Sequence, residues 1–215
     1  MDRRKALKNM GLAMGYTVAT PTLISIIQSC KSEPAIVWTP DFFTADEGSA
    51  VTKLVDIILP KTDTPSASEV NVHLFIDKFA NEVMEKEQQD FVKMSMSKFM
   101  DKVLADSGKE HIKDITLEDL EPVLAASLKV SKDDKVTNMK MINTYNKAVA
   151  AGQEANLDDT VSRFAFADNL RGLTIWGYKT SEYVGEEVLA YLPVPGEYIG
   201  CADTQELTGG KAWSL

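Results

Sequence analysis

The strongest constraint on this fold is a series of apolar stripes at helical spacing, each opened or closed by a capping or breaking signal. Thr44-Ala45-Asp46-Glu47 is a capping box: Thr44 offers its oxygen to the third backbone amide and Glu47 reaches back. Val51, Leu54, Val55, Ile58 and Leu59 follow on one face, and Pro60 marks the stop. The Thr- and Ser-bearing stretch from Lys61 to Ser68 reads as a loop. Further stripes run Val72, Phe75, Ile76, Phe79, Val83, then Met96, Phe99, Met100, Val103, Leu104, closed by Ser107-Gly108. Thr116 opens a fourth helix carrying Leu117, Leu120, Leu124 and Leu128, with Pro122 tolerable in or near its first turn. A fifth helix is predicted from about Lys132 to Val149. A sixth covers Asp158 to Leu173, with Val161, Phe164, Ala165 and Leu170 inward. Strand-like alternation is scarce, so the expected class is all-α, a compact multi-helix domain.

Charge narrows the partners. The formal net charge is -9, but residues 1–29 hold four Lys/Arg and one Asp. The remainder therefore carries 19 basic and 31 acidic groups, net -12. No nucleic-acid partner is expected of such a surface. Two cysteines form no disulfide framework, and two histidines far apart in sequence offer little to a metal.

The amino terminus reads as an address. Asp2-Arg3-Arg4-Lys5-Ala6-Leu7-Lys8 precedes an uncharged run from Asn9 to Cys30, the order of a bacterial export signal. Tyr16, Thr17, Thr20, Pro21, Thr22 and Ser25 interrupt the run, which argues against a permanent membrane span. Arg3, Arg4, Leu7 and Lys8 resemble the twin-arginine consensus, with Asp2 and Ala6 departing from it. Ile27-Gln28-Ser29-Cys30 resembles a lipoprotein cleavage box with Cys30 as the acylated residue, so periplasmic, lipid-anchored placement is expected. The expected organisation is a signal peptide over 1–29, a tether over 30–43 and a helical domain over 44–215. Because the twin-arginine route carries folded proteins, the leader points to a cofactor-bearing cargo, in this chain or in a partner.

The stretch from Leu170 to Cys201 packs Trp176, Tyr178, Tyr183, Tyr191 and Tyr198 into a Gly- and Pro-punctuated segment. Each ring pairs a large apolar body with a polar handle, the type enriched at interface centres. Pro193 and Pro195 bias the preceding residues toward extended geometry, so this part is expected to cross a surface as an extended C-terminal segment. It serves either a partner or as a strap folded back on its own domain. Cys201 is expected to be buried, with a bond to another chain as the alternative.

Catalytic signatures are sparse. No G-x-G-x-x-G follows a strand, and no H-E-x-x-H or C-x-x-C occurs. The Glu-x-x-His pair of a di-iron bundle is absent too: Glu69 and His73 are four apart, and Glu110 adjoins His111. His73 is read as a core or solvated histidine. Asp133-Asp134, Asp158-Asp159 and Glu186-Glu187 read as helix starts or solvated faces. No catalytic, cofactor-binding or metal-binding residue is assigned to this chain.

Three parts of the sequence resemble the small-subunit family named for gluconate 2-dehydrogenase subunit 3. They are the leader from Arg3-Arg4 to Lys8, the stretch from Phe43 through Leu59-Pro60 to Thr62-Asp63-Thr64-Pro65, and the tail from Gly177-Tyr178-Lys179-Thr180-Ser181-Glu182 to Pro193-Val194-Pro195-Gly196. The resemblance implies a non-catalytic partner of a large flavoprotein of the glucose-methanol-choline type, which oxidises a sugar or sugar acid and passes electrons toward a cytochrome c subunit. FAD is then expected in the partner, with Trp176, Tyr178, Tyr183, Tyr191, Pro193, Pro195 and Tyr198 as contacts. A free-standing helical lipoprotein that holds a sugar-like ligand in an aromatic cleft, with Trp176 stacking on the ring, is the competing reading. An autonomous hydrolase using acidic residues ranks last.

Overall fold

A computed structural model describes residues 38–192, 196 and 201–214. Arg3, Arg4, Leu7, Lys8, Cys30, Pro193, Pro195 and Tyr198 lie outside the described residues. The folded unit runs from Thr39 onward. Its helices are α1 (Ala45–Ile58), α2 (Val72–Glu82), α3 (Lys86–Ser107), α4 (Leu117–Leu128), α5 (Lys132–Ala150), α6 (Asp159–Lys179) and the short α7 (Thr204–Thr208). A 3-10 turn, Ile112–Asp114, leads into α4, and a single π-turn, Val184–Val188, follows α6. Among the described residues the only β-type pairing is an isolated bridge between Ala190 and Trp213. The class is all-α.

Local chemistry sets the helix ends. Thr44 and Glu47 form the capping box, Thr44 N–H donating to Glu47 Oε2 at 2.8 Å. Gly108 ends α3 at φ +67°, a left-handed conformation that glycine adopts without the clash a Cβ brings. Pro122 departs from expectation. It lies in the second turn of α4, where its missing N–H removes the bond to Glu118, and the helix runs through it. Burial of Leu120, Val123 and Leu124 compensates for the loss.

The core is the apolar interior of α1, α2, α3, α4 and α6. Val51, Leu54 and Val55 of α1 meet Val72 and Ile76 of α2, Met96, Phe99, Met100 and Val103 of α3, and Phe166, Ala167 and Leu170 of α6. Phe99 and Phe166 pack with ring centroids 5.1 Å apart. Helix α6 touches all five of the other long helices. It is inward at Val161, Phe164, Ala165 and Leu170, and its small Ser162, Ala167 and Gly177 admit close neighbours. The pattern predicts an end at Leu173, yet the helix continues to Lys179. Thr174 donates its hydroxyl to Leu170 O at 2.7 Å, which satisfies this buried polar group inside the helix. Val83, expected inward, caps α2 and is exposed.

Asp77 is the buried charge of this core. Its Oδ2 accepts from Asp41 N–H at 2.7 Å, and its Oδ1 from Phe42 and Phe43 N–H at 3.0 Å each. Residues 41–43 are thereby bound to α2 and sit inside the folded unit, with Phe43 in the core. Lys93 secures the same corner, its Nζ 2.5 Å from Glu47 Oε2 and 4.7 Å from the Phe42 ring centroid.

Truncating Asp77 strands three backbone donors, so Asp77→Ala is expected to lower the unfolding free energy by about 3 kcal/mol or more in urea titrations. Asp77→Asn keeps an acceptor for Phe42 and Phe43 and is expected to lose less. A second prediction concerns pH. Burial lowers the pKa of His73 below its ordinary 6.5 against a smaller opposing pull from Asp56. The unfolded chain therefore takes up this proton first, and the fold loses stability as the pH drops below about 6.5. Denaturation midpoints of His73→Gln followed across that range are expected to slope less steeply than those of the parent chain.

Candidate functional site

The Thr-rich loop after α1 is shaped by two carboxylates. Asp56 accepts Ser68 N–H at 2.8 Å and Ser68 Oγ–H at 2.6 Å. Glu69 accepts Ser66 N–H at 2.9 Å and pairs with Lys61 at 2.6 Å. Those bonds from Ser66 and Lys61 hold the Glu69 carboxyl below its ordinary pKa range. Ala67 N–H donates to Leu59 O at 3.0 Å, closing the loop onto the helix end it leaves.

The end of α6 docks on this loop. Tyr178 donates its hydroxyl to Pro65 O at 2.8 Å, 3.0 Å from Thr64 Oγ1. Two segments more than a hundred residues apart in sequence thus form one surface. Close approach of α6 to α2 requires Gly177, since a Cβ there would sit 2.6 Å from Phe75 Cδ1. Phe75 is itself held between Phe79 and Trp176, with centroids 5.8 Å and 5.1 Å away.

Between the loop and the turn after α6 lies a polar cleft of about 640 Å3, lined by Thr62, Asp63, Asn71, Ser181, Glu182 and Tyr183 among others. Hydroxyls, an amide and carboxylates beside an exposed phenol make a surface suited to hydrogen bonding. Among the described residues no group of three or more His, Cys, Asp or Glu side chains is placed to hold a metal ion. His111 is exposed and distant in the chain from this cleft.

The structure divides the aromatic residues of the C-terminal third. Trp176, Tyr183 and Tyr191 are 44%, 51% and 49% exposed. Tyr178 is half-buried, with its polar end engaged inside the domain. Trp176 and Tyr178 stand on α6 rather than in an extended segment, because the helix outruns its predicted end. Cys201, expected to be buried, is exposed and free: it falls in a bend ahead of α7, away from the core helices. Sequence reasoning missed Trp213. Ala190 N–H donates to Ala212 O at 2.8 Å and Ser214 N–H to Ala190 O at 2.9 Å, which pairs residues 212–214 with Ala190 and leaves Trp213 46% exposed. A tryptophan two residues from the terminus was its only signal in the sequence.

The description "Gluconate 2-dehydrogenase subunit 3" matches residues 45–196, well over half of the 215. The chain belongs to the gluconate 2-dehydrogenase subunit 3 family. The matched span contains both partners of the Tyr178–Pro65 contact and stops short of Trp213. What the family names is one subunit of a dehydrogenase assembly, an accessory part. No curated protein and no solved structure matches the chain.

The packing at Gly177 is testable against a control on the same helix. Gly177→Ala is expected to lower stability by about 1–2 kcal/mol, overpacking against Phe75 outweighing the gain in helix propensity. At Gly172 an added Cβ meets nothing within 4 Å, so Gly172→Ala is expected to raise the denaturation midpoint instead.

Proposed function

We propose that this chain is a non-catalytic small subunit that binds and stabilises a large FAD-dependent dehydrogenase of the glucose-methanol-choline type and escorts it through export. The large subunit oxidises a sugar or sugar acid in the periplasm. The observation that carries the reading is the set of exposed rings Trp176, Tyr183 and Tyr191, each mounted on backbone that the domain holds firmly. Large amphipathic rings at low entropic cost are what a stable protein contact uses. Trp213 extends the same character along the chain end. Family membership supports an accessory role. The twin-arginine-like Arg3-Arg4 leader supports export of a folded complex, and the lipoprotein-like box ending at Cys30 supports a lipid anchor; a cytochrome c subunit is then the electron acceptor of the complex. Exposed Cys201 is available for a bond to a partner.

A second reading, a free-standing lipoprotein that binds a sugar-like ligand, draws on the polar cleft. There the ring available for stacking is Tyr183 rather than Trp176.

Co-expression with a large flavoprotein dehydrogenase from the same genome tests the first reading. Loaded, active flavoprotein is expected in the periplasm only when this chain is present, and in the cytoplasm when Arg3 and Arg4 are both replaced by Lys. Trp176→Ala and Tyr183→Ala are each expected to weaken co-purification about tenfold. Export of active flavoprotein without this chain refutes the escort role. Tight sugar binding by the purified chain alone, lost in Tyr183→Ala, favours the second reading.

A further inference from the structure

A second concavity, of about 1080 Å3, opens between the α2–α3 corner, the end of α5 and the flank of α6. Its apolar lining includes Phe79, Val83, Phe91, Tyr145, Val149 and Leu173. Val83 is 61% exposed, and Val149 is exposed as well. Two properties of its walls bear on what fills it.

One wall is rigid. Gln89 Nε2 donates to Ala80 O at 2.8 Å, and lies 3.2 Å from Asn81 O and 3.3 Å from Met84 O, pinning the corner between α2 and α3. The opposite wall is less buried. Helix α5 buries none of its residues and packs mainly on α6, with Lys135 reaching Asp168 at 3.0 Å. Across the opening Phe91 and Tyr145 meet at 5.7 Å between centroids.

The two charged side chains lining the groove, Glu87 and Asp90, are acidic, while Lys86 and Lys147 adjoin lining residues in the chain. Over residues 82–90, Glu82, Glu85, Glu87 and Asp90 face one cation, Lys86, which is paired to Asp90. That leaves a local net charge of -3 beside an apolar trough.

We infer that this groove receives an amphipathic helix of a partner polypeptide, apolar on the buried side and basic along the flank that meets Glu87 and its neighbours. Helical walls offer ridges and grooves rather than a strand edge, so a helix is the guest they fit. The wall from Glu87 to Met94 is about 12 Å long at 1.5 Å per residue, so the guest presents roughly two turns, with apolar anchors at i, i+3 or i+4, and i+7. Basic flanking residues meet the acidic mouth with complementary potential and set orientation. The inference rests on the reading of this chain as a partner-binding subunit and adds the kind of segment that it holds.

The test is photo-crosslinking in the full chain, expressed with its dehydrogenase. Benzoylphenylalanine replaces Val83 or Val149 in the groove and, separately, Tyr183 on the aromatic face; cross-linked segments are sequenced by mass spectrometry. From positions 83 and 149 the expected product is a segment with helical apolar spacing and an excess of Lys and Arg over Asp and Glu. Glu87→Lys is expected to cut that yield about fivefold or more while leaving cross-linking from Tyr183 unchanged. An acidic or extended segment, a second copy of this chain, lipid, or no product from either groove position overturns the inference. If Tyr183 still captures the dehydrogenase in that case, the proposed function stands. Capture of a helix only from some other polypeptide, with the dehydrogenase never cross-linked from the groove or from Tyr183, overturns both the inference and the proposed function.

Discussion

Burial of α6 by its five long neighbours is the constraint on which the rest of the domain depends. Its first half is enclosed on nearly every side, at Val161, Ser162, Phe164, Ala165, Phe166 and Ala167. Its last turns are buried only along Leu170, Thr174 and Gly177. The enclosed half secures the core through Phe99 and Phe166. The other half is held on one side and presents Ile175 and Trp176 to solvent. A single helix therefore anchors the fold at one end and displays recognition surface at the other. The rigidity of that display is borrowed from the core.

Long-range polar contacts position the loops around this helix. Asp77 collects three backbone N–H groups from residues 41–43, and Tyr178 holds the Thr-rich loop through Pro65. A buried carboxylate is tolerable only with such donors, since an unpaired charge in the interior is costly. Desolvation makes each of these contacts consequential. The loop and the turn after α6 are thereby tied to the helices by specific contacts rather than hanging as separate appendages.

Much of the fold was legible because helical burial has a period. The stripes at Val51, Leu54 and Val55 and at Met96, Phe99, Met100 and Val103 predicted the buried faces of α1 and α3. The starts of α1 and α4 followed from Thr44 and Thr116, whose side-chain chemistry acts within three residues. Misreadings came where a local signal met a distant neighbour. Gly177 lies beyond the expected helix end at Leu173 and is a packing device under Phe75 inside the helix. Val83 continued a stripe and faces solvent at the rim of a groove formed with α3, α5 and α6. The aromatic residues of the C-terminal third were visible as a cluster, but nothing local distinguished Tyr178, turned inward, from Tyr183, turned outward.

The sequence by itself determined the all-α class, the positions of most helices and the likeness to the subunit 3 family, because caps, periodicity and motifs are encoded over a few to a few tens of residues. Only the tertiary structure decided that residues 62–65 and 181–183 share one cleft, that Asp77 anchors residues 41–43, and that Trp213 is bridged to Ala190. Each of these joins groups more than twenty residues apart through desolvated contacts or backbone pairing, and the pattern along a chain does not carry that information.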